Sequence, residues 1–118
     1  MEINIEVIIN KLEYKVNELT IRNAKLEKLR RIKDSLEATY RCELRKELLQ
    51  LSLNNINARG NGKIAQLRLN KDLAKIRYYL MKSSIENIKF EIEVLRSMLI
   101  WLRVEFSVLK DKEVTWLN

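Results

Sequence analysis

The sequence predicts an all-α fold, a long antiparallel helical hairpin of coiled-coil character. Three observations carry that prediction. Proline is absent and both glycines, Gly60 and Gly62, fall in one place. Apolar residues recur at heptad spacing on either side of that place. Hydrophobic residues make up 47% of the chain and charged residues 33%, with Leu, Ile, Lys, Arg and Glu dominant, which is the composition of long helices.

The strongest element follows the glycines. Ala74, Tyr78, Met81, Ile85, Ile88, Ile92, Leu95, Leu99, Leu102, Phe106 and Leu109 keep an unbroken 4-3 spacing, the seam of a coiled coil. It predicts one helix from about Lys63 to about Lys110, roughly 70 Å long at ~1.5 Å per residue. Before the glycines, Ile5, Ile9, Leu12, Val16 and Leu19 give a second seam. Its register slips near Asn23 and resumes with Leu26, Leu29, Ile32 and Leu36, and Tyr40, Leu44, Leu48 and Leu51 continue on one face. Asn and Gly tolerate positive φ, so Arg59-Gly60-Asn61-Gly62 is the predicted turn, at residues 59–62. Folding back there sets residues 5–29 beside 85–109 and Leu12 near Leu99 to Leu102. Two capping boxes bear on continuity, Asp34-x-x-Glu37 and Ser83-x-x-Glu86. The heptad passes through Ser83 undisturbed, so the helix is read as continuous there. The box at Asp34 leaves a kink near residue 34 open.

The net charge is +7, and it is unevenly spread. Residues 1–23 carry three basic and four acidic groups, residues 87–118 five of each, and residues 24–86 fifteen basic against seven acidic, net +8. A localised excess of this kind attracts polyanions. The chain has one cysteine, Cys42, and no histidine. It therefore has no disulfide framework and lacks both the commonest metal ligand and the usual general base near neutral pH. No paired carboxylates mark a catalytic pocket, so the sequence predicts no enzyme, no catalytic residue, no metal site, no cofactor and no small-molecule substrate. The longest uncharged run, Leu48 to Ala58, is eleven residues, too short for a membrane span. The start, MEINIEV, is acidic and has no presequence pattern. Either the protein works where it is made or a presequence has been removed.

Gly60-Asn61-Gly62-Lys63 invites a phosphate-loop reading, which fails. Such a loop needs a preceding strand, a wider glycine spacing and a hydroxyl after the lysine, where this chain has Ile64. The helix beyond it says more. At 100° per residue, Leu69, Leu73, Ile76 and Leu80 fall within about 60° of one another and read as the packing face. Arg68, Lys71, Lys75 and Lys82 share a sector about 140° away and read as the exposed face, with Arg59 and Lys63 at the turn beside them. On the preceding helix, Leu49, Leu53 and Ile56 form an apolar stripe roughly opposite Leu44 and Leu51. One hairpin partner cannot cover both stripes, so the second implies self-association, a third helix or another macromolecule.

Leu44-x-x-Glu47-x-x-x-Leu51, followed after twenty residues by Lys71-Asp72-Leu73-Ala74-Lys75-Ile76, resembles the ribosomal protein L29 family of the large ribosomal subunit. Residues 44–80 fit that pattern, and Asp34 to Glu37 match the capped start of the family's first long helix. Ser52 and Asn70 depart from it, standing where basic residues are usual. The resemblance implies one domain, with a hairpin core at 34–86 and extensions at 1–33 and 87–118. It also implies a structural, non-catalytic role. The chain would bind large-subunit ribosomal RNA near the nascent-peptide exit, beside a protein of the ribosomal protein L23 family. The RNA-binding set would be Arg45, Arg59, Lys63, Arg68, Lys71, Lys75, Arg77 and Lys82. Heavy use of Asn, Ile and Lys suits an AT-rich organellar genome, which points to a ribosome of the mitochondrion before the plastid, with a bacterial ribosome as the remaining setting. The competing reading is a coiled-coil adaptor that binds partner helices and no nucleic acid.

Overall fold

The computed structural model describes residues 4–54 and 61–117, with side-chain environments for 4–51 and 62–105. It is an all-α helical hairpin of two helices, α1 (Ile5–Asn54) and α2 (Asn61–Leu117). Asn4 caps α1: its side-chain Oδ1 accepts from the Glu6 amide at 3.0 Å, and its carbonyl accepts from the Ile8 amide at 3.2 Å. The Glu6 amide, which no preceding turn can satisfy, is satisfied by the cap side chain, and the Ile8 bond is the first of the helical ladder. The Glu6 carboxylate adds charge complementary to the helix N-terminus.

Several boundaries differ from the sequence reading. Helix α2 begins at Asn61 and reaches Leu117, beyond the predicted Lys110. Asn61 and Gly62 thus belong to its first turn, while Arg59 and Gly60 lie outside the described residues. A Cβ at Gly62 would meet no atom within 4 Å, so no close approach demands glycine there. Helix α1 runs unbroken through Asp34, whose carboxylate meets Lys33 Nζ at 3.1 Å. Helix α2 likewise runs through Ser83, as the undisturbed heptad predicts.

The chain divides into two compact units. One joins residues 1–22 with 84–118, and the other comprises residues 23–83. The terminal unit has an apolar core of Ile8, Ile85, Ile88 and Ile92, each 3–5% exposed. Leu95, Leu99 and Leu102 continue the α2 seam half-buried, as predicted; Phe106 and Leu109 lie outside the described side chains. The α1 side is corrected in part, since Leu12 and Leu19 lie half-buried as predicted. Ile8 enters the core, whereas Ile5, Ile9 and Val16 are over 40% exposed. Its seam runs Ile8, Leu12, Lys15, Leu19 and Arg22, with no slip. Polar residues take every other step and find partners across the pair. Lys15 Nζ meets Glu91 Oε2 at 2.5 Å. Arg22 donates to Ser84 Oγ and pairs with Glu18 at 3.3 Å. With Lys15 facing Glu91, Leu12 lines a groove with Arg96, about one turn from the predicted Leu99 to Leu102.

In the central unit the same spacing continues through Leu26, Leu29, Lys33, Leu36, Tyr40, Glu43 and Glu47 on α1, all half-buried. On α2 it runs through Ile64, Leu67, Lys71, Ala74, Tyr78 and Met81, of which only Ala74 is buried. The predicted packing face is therefore wrong: Leu69, Leu73, Ile76 and Leu80 are 41–66% exposed. Extending the 4-3 period backward from Ala74 leads to Lys71, Leu67 and Ile64, and that seam wins because α1 offers its lysine a ring to cover. Lys71 Nζ sits 4.8 Å from the Tyr40 ring centroid, and Lys33 Nζ 5.1 Å from that of Tyr78. A cation over an aromatic face at this range is attracted by the ring quadrupole. Aliphatic stems bury alongside while the ammonium heads stay near water.

Candidate nucleic-acid interface

The charge asymmetry follows the units. Residues 23–83 carry fifteen basic and six acidic groups, net +9, while residues 1–22 with 84–118 carry eight basic and ten acidic, net −2. The whole positive surplus belongs to the central unit.

Within it, the eight basic residues singled out by the sequence fall into three groups. Arg59 lies outside the described residues. Lys63 and Lys71 are engaged internally. Lys63 Nζ meets Glu43 Oε2 at 3.3 Å, and Glu43 also meets Lys46 at 3.5 Å. The Lys63 ammonium, hydrogen-bonded to it and seconded by Lys46, holds the Glu43 carboxyl below its ordinary range. Lys71 faces Tyr40 and meets Asp72 Oδ1 at 3.4 Å. It is half-buried, which corrects its predicted place on the exposed face.

Arg45, Arg68, Lys75, Arg77 and Lys82 form the third group, all exposed. None of the five pairs with a carboxylate among the described residues. Arg68, Lys75 and Lys82 stand seven residues apart in succession. At 100° per residue they drift only about 40° and make a ladder along one side of α2. It spans some 21 Å at ~1.5 Å per residue. Arg77 stands off that line and Arg45 is on α1.

Elsewhere on α1 several cations are locally neutralised, while Lys25 and Lys28 in the same unit stand exposed with no ion pair among the described residues. Arg30 meets Glu27 at 2.5 Å, Arg31 meets Glu27 at 3.6 Å, and Arg41 meets Glu37 at 3.0 Å. The Arg30 hydrogen bond, with Arg31 nearby, holds the Glu27 carboxyl below its ordinary range. Exposed pairs of this kind contribute little stability, but they cancel charge that α1 would otherwise present. Among the described residues of the central unit, the exposed cations without an ion pair are Lys25, Lys28 and Arg45 on α1 and Arg68, Lys75, Arg77 and Lys82 on α2.

Sequence reasoning did not single out Lys33 as a packing residue. The available signal was the 4-3 period carried back through α1, where it meets Lys33 between Leu29 and Leu36. Among the described residues no group of three His, Cys, Asp or Glu is placed to hold a metal ion, and no helix is long and apolar enough to cross a membrane. Comparison with protein families, curated proteins and solved structures finds no match to this chain.

Proposed function

We propose that this protein is a non-catalytic RNA-binding hairpin, a structural constituent of the large ribosomal subunit. The observation that carries the reading is the ladder of Arg68, Lys75 and Lys82, joined by Arg45 and Arg77. These exposed cations meet no carboxylate among the described residues and stand in the one unit holding the surplus charge. A rigid helix with cations at regular intervals suits phosphate backbone and positions rather than reads sequence. The same helix carries Lys71-Asp72-Leu73-Ala74-Lys75-Ile76, the core of the resemblance to the ribosomal protein L29 family. From that resemblance come the finer parts of the proposal: a place near the nascent-peptide exit, a neighbour of the ribosomal protein L23 family, and an organellar ribosome, mitochondrial before plastid. Lys63 and Lys71 support the fold, and the phosphate contacts fall to the exposed five.

Two measurements on the full chain test this. It co-sediments with large ribosomal subunits, and its affinity for structured large-subunit RNA falls steeply with salt. Five phosphate contacts give a slope of log K against log salt of about −3.5 to −4.5. A flat salt response, or sedimentation apart from the subunit, would leave the adaptor reading in its place.

A further inference from the structure

Helix α2 carries a second feature in the central unit that RNA binding does not use. Leu69, Leu73, Ile76 and Leu80 are 51, 41, 54 and 66% exposed. They recur at 4-3-4 spacing and lie roughly 160° around the helix from the seam that meets α1. Four large aliphatic side chains in one line over three turns make a contiguous apolar patch, unlike scattered surface leucines. At its start the patch runs into an open groove of about 500 Å³ lined by Tyr40, Leu44, Ile64, Leu69, Arg68 and Asp72. The groove has room for a large side chain and is apolar on most walls.

The charges around this surface select the occupant. Arg68 stands at the groove and Arg77 on the opposite rim, about 70° from the stripe, and neither has a carboxylate partner among the described residues. Asp72 is held by Lys71 at 3.4 Å. A second copy docked stripe to stripe would bring one +9 unit against another, which the field opposes. Nucleic acid offers phosphates and sugars, which do not cover a leucine stripe. The geometry points to an acidic amphipathic helix of another protein, docked along Leu69, Leu73, Ile76 and Leu80. In that pose one large apolar side chain enters the groove and carboxylates face Arg68 and Arg77. This is the helix-in-groove mode of recognition, with anchors at i, i+4 and i+7. It shares Arg68 and Arg77 with the RNA reading but is tested apart from it, because the stripe takes no part in phosphate contact and Lys75 and Lys82 take no part in the docking.

The test uses the full chain as bait for a displayed library of amphipathic helical peptides whose polar positions are randomised. The expected result is enrichment of peptides with acidic residues flanking the apolar line. The double variant Leu73→Ser, Leu80→Ser should weaken the selected peptide by about tenfold or more, the loss typical of a central anchor. Both positions are exposed, so circular dichroism of that variant should match the parent. Variants Lys75→Glu and Lys82→Glu should lower RNA affinity and keep peptide binding. Selection of basic or uncharged peptides, binding indifferent to the double variant, or a dimer in sedimentation that the double variant turns to monomer would each overturn the proposal.

Discussion

The terminal and central units share one heptad spacing and fill it with different chemistry. In the terminal unit the seam closes on Ile8, Ile85, Ile88 and Ile92, with Lys15–Glu91 and Arg22–Ser84 as polar steps. In the central unit only Ala74 is buried among the described residues, and the steps are Lys33 on Tyr78, Tyr40 under Lys71, and Glu43 with Lys63. The first arrangement derives its stability from apolar burial. The second gives up much of that burial and keeps a dense positive charge beside its packing seam.

The largest effect that could break this contrast is a cavity in the terminal core. Ile88→Ala removes a side chain 3% exposed and should cost about 2–4 kcal/mol in denaturant unfolding. Leu73→Ala, on the exposed stripe of the central unit, should cost less than about 1 kcal/mol, mostly from lost partial burial. Equal losses would mean that the two units do not differ as described. Hydrogen exchange should agree, with slower exchange around Ile88 than around Leu73.

Next in size is the aromatic step. Lys71→Ala and Tyr40→Ala should each destabilise the central unit by about 1 kcal/mol, and a double-mutant cycle should show coupling of about 0.5–1 kcal/mol. Zero coupling would place Lys71 back among the solvated cations.

This step also shows where the sequence was legible. The α2 seam from Ala74 to Leu102 could be read because an apolar residue occupies each position. The seam of α1 could be read only in part: Leu12, Leu19, Leu26, Leu29, Leu36 and Tyr40 fall on it as predicted, but Lys15, Arg22, Lys33, Glu43 and Glu47 occupy other steps while Ile5, Ile9 and Val16 draw attention to a neighbouring line. On residues 64–83 the rule that leucines face inward chose Leu69 and Leu73 over Lys71. It failed because the rings that receive Lys71 and Lys33 belong to the opposite helix, which one-helix periodicity cannot show. The exposed cations Arg68, Lys75 and Lys82 were legible from the same helical geometry, since nothing on α1 competes for them.

A smaller effect separates the units by pH. The Glu27 and Glu43 carboxyls titrate below their ordinary range because Arg30 and Lys63 hydrogen-bond to the charged forms. Their contribution is complete above the ordinary carboxylate value of about 4.3 and is lost as pH falls through the lowered folded values. With no histidine in the chain, the melting temperature should be flat from about pH 8 to pH 5. It should fall in acid, with the central unit loosening first by hydrogen exchange. A transition near pH 6 would contradict this assignment.

The smallest effect concerns Gly62. It lies in the first turn of α2 with open space where a Cβ would stand, so Gly62→Ala should raise stability by about 0.4–1 kcal/mol. A loss would show that the turn needs glycine after all.

The central claim is that the exposed cations of the central unit, and not the net charge of the chain, bind RNA. Two double variants of equal charge decide it: Lys75→Glu with Lys82→Glu in the central unit, and Arg96→Glu with Arg103→Glu in the terminal unit. All four residues are exposed. Affinity for structured large-subunit RNA, measured across a salt series, should fall by about tenfold or more in the central variant, with the slope shallower by about 1.4–1.8 for two lost phosphate contacts. The terminal variant should keep both the parent affinity and the parent slope. Equal losses in the two variants, or none in the central one, would contradict the account.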